Sequence, residues 1–132
     1  MRYKGVKGKA WEAVKRYVRR KEKDCYTCEA KDLQGQNAQA GHFLPVAIVG
    51  SNNRLSWDER QIHLQCGRCN GAGQGQQVAY RRHLIEDYGE EAVQEIEKRR
   101  WKVDPIKNWD AIIEHFDSLE LSTPPANRST KP

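Results

Sequence analysis

The chain has 132 residues, of which 31% are charged, 37% hydrophobic and 8% aromatic. That is the length of one domain with a thin supply of core, so an added staple is expected. No run of about 18 apolar residues exists to cross a bilayer, and no apolar stretch follows Met1-Arg2-Tyr3-Lys4, so a membrane helix and a secretory signal are not expected.

The net charge of +5 is unevenly placed. Residues 1–23 hold ten Lys and Arg against Glu12 and Glu22, a local charge of +8 that leaves −3 for the rest. Residues 1–9 are rich in Gly and Lys and read as a flexible arm. From Ala10 to Lys23 the spacing of Trp11, Val14 and Val18 predicts a helix, with Lys15, Arg16, Arg19 and Arg20 on its opposite face. Such a face suits phosphates, so nucleic acid is the expected partner; the bland alternative is a solvated, solubilising tail.

Two C-x-x-C pairs follow, Cys25/Cys28 and Cys66/Cys69. Each presents two thiolates from one tight turn, and together they make a tetrahedral S₄ set for structural zinc. Redox or disulfide use is the weaker alternative in a reducing compartment. Zinc would contribute about 10–16 kcal/mol to folding, enough to compensate for a small core. Between the pairs, Lys31–Gln39 reads as loop. Gly41 to Ile48 begins as a short apolar strand with Pro45 at a bend, Gly50–Asn53 is a turn, and Arg60–Gln65 is a second extended stretch. A helix is expected after Cys69-Asn70, delayed by the glycines of residues 71–75. That glycine run is not a phosphate loop, because it lacks the Gly-Lys-Ser/Thr ending.

Residues 76–101 predict two helical pieces broken at Gly89, with Glu90 and Glu91 opening the second. Another helix is predicted from Asn108 to Leu121, its apolar face formed by Trp109, Ile112, Ile113, Phe116 and Leu119. The proline-bearing tail from Ser122 reads as disordered. The organisation is thus a basic arm and helix over 1–23, a zinc-bound core over 24–90, C-terminal helices over 91–121 and a tail over 122–132.

The segments Gly41-His42-Phe43-Leu44-Pro45 and Gln61-Ile62-His63-Leu64-Gln65-Cys66-Gly67-Arg68-Cys69-Asn70, joined by the paired C-x-x-C motifs, resemble the HNH (ββα-metal) nuclease signature in its zinc-stapled form. Their wording, with the later Tyr80-Arg81, is similar to that of the phage NinG (Rap) recombination endonuclease family. The resemblance covers residues 24–90. It implies an α+β fold: a treble-clef-like ββα-metal core with flanking helices. It also implies a phage- or bacterium-type cytoplasmic enzyme that hydrolyses phosphodiesters in branched DNA, such as Holliday junctions and D-loops.

By that resemblance His42 is the general base, since a neutral imidazole near pH 7 can take a water proton. Asn70, with His42 itself as a further candidate ligand, would bind a catalytic Mg²⁺ or Mn²⁺, and Gln61 stands where the motif has the asparagine that orients the histidine. The family places a metal ligand just before the base, and here that position is Gly41. Asp58, Glu59 and His63 are the nearest replacements in sequence. Arg81, with Tyr80 and Arg82, is a candidate phosphate contact.

Each residue also has a plainer reading. His42 can be a satisfied structural histidine or a zinc ligand. Asn70 can simply cap a helix. His63 can be solvated or touch DNA, Asp58 and Glu59 can be surface charges, and Trp57 fits core packing. His83 and His115 carry no motif and no assigned role. The competing function is a non-catalytic zinc module that binds nucleic acid; a protein-interaction adaptor leaves the basic arm without a purpose. Branched DNA offers two scissile strands, so a homodimer through the Trp109–Leu119 face is one expectation, with packing inside one subunit as its rival.

Overall fold

The computed structural model describes residues 3–127. It is an α+β arrangement in which six helices surround a two-stranded sheet. No helix among the described residues is long and apolar enough to cross a membrane.

Helix α1 spans Gly5–Lys21 and buries Ala10, Trp11, Ala13, Val14, Tyr17 and Val18. Its apolar stripe is the one predicted, but the helix starts five residues earlier, so most of the expected flexible arm is helical. The early start is tied down by packing and hydrogen bonds. Lys7 donates to the Ser51 hydroxyl (2.6 Å) and to Asn52 (2.9 Å), and Tyr3 packs beside Trp11 and Trp57. Arg19, Arg20 and Lys21 close the last turn, where cations suit the helix dipole.

Strand β1, Gln39–His42, pairs antiparallel with β2, Ile62–Gln65, in the register Gln39–Gln65, Ala40–Leu64, Gly41–His63 and His42–Ile62. Successive residues of a strand face opposite ways. Ala40, Ile62 and Leu64 therefore join the core under α1, while His63 and Gly41 face the other layer. β1 is shorter than predicted: it ends at His42, and Pro45 opens the single-turn helix α2, Val46–Val49. The expected second stretch from Arg60 also shortens, because Glu59–Gln61 forms a 3₁₀ turn capped by the Asp58 carboxylate. All four residues of β2 are buried, which places the strand at the centre of the molecule.

A single turn, α3 (Gly67–Asn70), follows β2. The glycine-rich segment then turns the chain into α4, Gln77–Tyr88, and α5, Glu90–Arg99. Gly89 sits between them at φ +94°, a conformation that favours glycine. Phe43, Leu44, Leu55, Tyr80, Leu84, Val93 and Ile96 form a core on this side. Helix α6, Trp109–Ser122, is capped by Asn108, whose side chain accepts from the Ala111 N–H at 3.1 Å. Its apolar face packs on α1 within the same chain: Phe116 is fully buried beside Tyr17, with ring centroids 5.9 Å apart. That face is therefore covered inside one subunit. The first residues of the expected disordered tail are docked as well, since the Ala126 N–H donates to the Arg20 carbonyl (2.7 Å) and Arg20 Nε donates to the Thr123 carbonyl (2.6 Å). Residues 128–132 of that tail lie outside the described residues.

The outer edge of β2 is closed by residues just beyond α1. Glu22 accepts the Leu64 N–H at 2.7 Å, and the Tyr26 N–H donates to the Leu64 carbonyl at 2.8 Å.

Candidate metal centre and adjoining polar site

Cys25 and Cys28 occupy the turn after α1, and Cys66 and Cys69 flank the first residues of α3. Their four sulfurs lie within 4.8 Å of one another, and Cys28 Sγ is 3.7 Å from Cys66 Sγ. A tetrahedral zinc with bonds of about 2.3 Å needs sulfurs about 3.8 Å apart, so the donor set and its spacing fit a metal such as zinc. The surroundings also favour thiolates. Cys25 Sγ receives the Cys66 N–H (3.4 Å) and lies 3.5 Å from the Thr27 hydroxyl, and Cys66 Sγ receives the Cys69 N–H (3.5 Å). Burial opposes ionisation of Cys25, but the Thr27 hydroxyl and neighbouring N–H groups outweigh it and hold the thiol down at about 6. Burial pushes Cys69 up to about 12, so a bound cation is what would ionise the full set.

His42 ends β1 on the α1 side. Its ring stacks on Trp11, 5.6 Å between centroids and 12° between planes. Its Nε2 lies 2.7 Å from the Ser56 carbonyl. A carbonyl only accepts, so Nε2 carries the hydrogen and Nδ1 keeps its lone pair. Burial pushes the imidazole down to about 4, against a smaller opposing effect of the Ser56 bond, and the ring is neutral at pH 7.

Gln61 is fully buried. Its Nε2 donates to the Leu55 carbonyl (2.5 Å) and its Oε1 accepts the Leu44 N–H (2.8 Å). It thus clamps the segment carrying the Ser56 carbonyl to the chain leaving β1. Tyr80, also fully buried, donates to the Gly41 carbonyl at 2.7 Å and lies 3.1 Å from the Gln61 carbonyl. It braces the site from inside and does not face solvent as a phosphate contact would.

Asn70 lies on the opposite face of β1 from His42. Its Nδ2 donates to Gln39 Oε1 at 2.9 Å, and its Oδ1 lies 2.9 Å from the position a Cβ on Gly41 would take. The same position is 1.8 Å from Gln65 Oε1. Two carboxamide oxygens, not a side chain of residue 41, fill that space.

The other predicted ligands are elsewhere. Asp58 is bound by Arg60 (2.8 Å) and Arg99 (2.7 Å). Burial opposes its charge, but the two guanidinium groups prevail and keep the carboxyl below its usual range. Glu59 lies 3.0 Å from His115 Nε2. His63 is buried against Tyr26, with Nδ1 2.5 Å from Glu22 and Nε2 2.9 Å from the Arg60 carbonyl. Each of the three is engaged by other partners, and none hydrogen-bonds to Asn70.

The predicted nucleic-acid contacts have partners inside the chain. Lys15 pairs with Glu12 (3.0 Å), and Arg16 with Asp117 (3.2 Å) and Glu120 (3.7 Å). Arg19 donates to the Ala38 carbonyl (2.9 Å), Arg20 to that of Thr123, and Arg81 pairs with Glu97 and Glu90. Lys15 and Arg16 remain accessible, with side chains 31% and 51% exposed. Arg68 is exposed on α3 two residues before Asn70, a cation that the motif reading passed over. Gln65 was passed over too. The only signal for it in the sequence is a polar residue facing inward next to Cys66.

A family model described as "Bacteriophage Lambda NinG protein" matches residues 2–117. The protein ninG of Enterobacteria phage H19B is 35% identical over 102 residues, covering 74% of this chain and 49% of that protein. Protein ninG of Escherichia phage 933W is 36% identical over 102 residues, with 74% and 49% covered. Protein ninG of Escherichia phage lambda is 34% identical over 102 residues, with 74% and 48% covered. The chain spans about half the length of these curated relatives. No solved structure matches it.

Proposed function

The chain belongs to the NinG family of bacteriophage proteins, and from that premise we propose that it is a divalent-cation-dependent endonuclease acting on branched recombination intermediates in DNA. The observation that carries this reading is the fixed tautomer of His42. Its Nε2–H is spent on the Ser56 carbonyl, and Nδ1 makes no hydrogen bond among the described residues. Nor is Nδ1 sealed off, since Gln65 Oε1 is the one buried side-chain polar atom without a partner among them.

In this reading water gives its proton to Nδ1 as it attacks phosphorus. Gln61 is a positioning residue that holds the Leu55–Ser56 segment, and hence the imidazole, in place. Asn70 Oδ1 is the ligand for Mg²⁺ or Mn²⁺, which when bound stabilises the charge growing on the phosphoryl and leaving oxygens. Arg68, Lys15 and Arg16 meet phosphates. The thiolates of Cys25, Cys28, Cys66 and Cys69 hold zinc and fix α3, and with it Asn70. Two scissile strands in a branched substrate are served by a homodimer.

One observation favours the second reading, a zinc-stapled module that binds nucleic acid without cutting it. His42 and Gly41 are consecutive on β1, so the imidazole and the Asn70 oxygen lie on opposite faces of the strand. An enzyme needs its substrate to wrap the end of β1 at His42 to reach both.

Cleavage of a four-way junction with Mg²⁺ or Mn²⁺ separates the two. The endonuclease reading expects His42→Ala to keep zinc and DNA binding while cutting falls by about 10²–10⁴-fold. Equal cutting by both proteins removes His42 from the mechanism. A wild type that binds but never cuts leaves the binding module.

A further inference from the structure

Trp101 is 74% exposed and Val103 94%. Large apolar side chains grouped in water mark a surface that something else covers. The segment carrying them is not loose. The Lys102 N–H donates to the Arg99 carbonyl (3.0 Å), and the Lys102 carbonyl accepts from Asn53 Nδ2 (2.9 Å). The Arg54 N–H donates to the Asp104 carbonyl (2.9 Å), and the Ile106 N–H to the Asn52 carbonyl (2.8 Å). A turn stitched to residues 52–54 therefore holds the indole out in solvent.

Trp101 and Val103 line an open hollow of about 460 Å³ with Val49, Gly50, Asn52 and Pro105, a size that admits a flat heterocycle. A second hollow of about 410 Å³, walled by Gln94 and Lys98, borders the same indole. Arg100 Cζ lies 4.4 Å from the Trp101 ring centroid, a cation–π stack that steadies the ring from one side. With the residue still 74% exposed, the other side is open. The Gly50 carbonyl in this wall accepts from Ser56 Oγ (2.7 Å), and the Ser56 carbonyl holds His42 Nε2. One residue thus ties the hollow to His42.

Charge selects the occupant. Residues 98–107 carry a local charge of +4. Lys98, Arg100, Lys102 and Lys107 are exposed and form no ion pair among the described residues. The acids that line the two hollows are taken: Asp104 lies 3.6 Å from Arg54, and Glu97 lies 3.0 Å from Arg81. An open aromatic ring set among unpaired cations suits flat rings strung on phosphates. The polar groups of the first hollow are largely spent inside the protein. The Asn53 amide is bound to the Lys102 carbonyl and the Leu55 N–H, and the Ser51 hydroxyl and Asn52 oxygen accept from Lys7. Little is left to read base edges, so recognition is by stacking and tolerates any sequence.

We propose that Trp101 is a stacking platform for an unpaired base of single-stranded DNA, with Lys98 and Lys102 meeting the flanking phosphates. A duplex keeps its bases stacked inside, so in a branched substrate the platform takes a nucleotide left unpaired at the branch. The inference rests on the nucleic-acid partner that both readings above share, and it is independent of cleavage.

The test uses the full, zinc-loaded chain at one salt concentration. Its affinity is compared for an oligothymidylate, for the same strand with abasic sugars in place of bases, and for a duplex. The wild type is expected to prefer the oligothymidylate over the abasic strand about tenfold, the worth of one stacked base. Trp101→Ala should lose that preference and keep its duplex affinity, while Trp101→Phe retains most of the preference. The side chain lies in solvent, so both variants should show the circular dichroism of the wild type. Lys98→Ala combined with Lys102→Ala should weaken both single strands alike and flatten the salt dependence. A wild type that does not distinguish bases from abasic sugars overturns the platform, as does a Trp101→Ala variant that still does. Equal losses on duplex and single strand overturn it too. Self-association that Trp101→Ala abolishes in sedimentation, with single-strand affinity unchanged, gives the hollow to a second copy, and the proposal falls. A wild type that binds neither these ligands nor a four-way junction ends both readings of the function and the platform with them. Junction binding, with Trp101→Ala equal to the wild type on the single strand, ends the platform alone. A base preference carried by Trp101 without junction cleavage keeps the platform and ends the endonuclease reading.

Discussion

His42 shows how one half-buried group couples folding to pH. An unfolded chain takes up a proton at the ordinary imidazole value of 6.5, whereas the folded one resists until about 4. Below 6.5 the unfolded state therefore binds the extra proton, and stability is lost as pH falls from 6.5 toward 4. The loss amounts to about 2 kcal/mol by pH 5. Urea denaturation at pH 7 and pH 5 should show that loss in the wild type and not in His42→Phe, at matched zinc loading. A variant with the same slope as the wild type would remove His42 as its source. At this scale the four cysteines were legible because thiolate chemistry is written in short spacings. The setting of Asn70 and Gln65 was not, because it depends on which face of a strand each amide meets and on carbonyls as distant in sequence as Gly75.

Among the elements, the helices were the easiest to read. The stripe of α1, the break at Gly89 and the start of α6 beside Asn108 all follow from local spacing and turn chemistry. The fate of the basic face of α1 did not. Its Arg16 meets Asp117 across 101 positions of sequence, and no periodicity reports such a pairing. That ion pair is half exposed and contributes little, within about 1 kcal/mol. The apolar contact beneath it matters more. Phe116 is fully buried against α1, and Phe116→Ala is expected to cost about 3–5 kcal/mol in a denaturation experiment. A cost under about 1 kcal/mol would mean that α6 is not held by this side chain.

Over the whole molecule, α1, β2 and the cysteine turns depend on one another. Two cores, one under α1 and one around α4 and α5, meet across the short sheet, and the zinc-type centre lies at the ends of the segments that join them. Removing bound metal with a strong chelator should therefore unfold the protein cooperatively, with loss of helical circular dichroism and recovery on adding zinc. A spectrum unchanged after complete metal removal would reduce the centre to an accessory. The pairing of two C-x-x-C turns already pointed to one shared four-sulfur centre. What the sequence left unread was the packing of α6 along α1 and the hydrogen bond from the Ala126 N–H back to the Arg20 carbonyl.

The closed edge of β2 has a consequence for assembly. With the Leu64 N–H bound by Glu22 and its carbonyl by the Tyr26 N–H, that rung of the ladder is taken, and a foreign strand finds no free amide there to dock onto. A second copy of the chain therefore cannot extend the sheet through Leu64 without first displacing Glu22 and Tyr26.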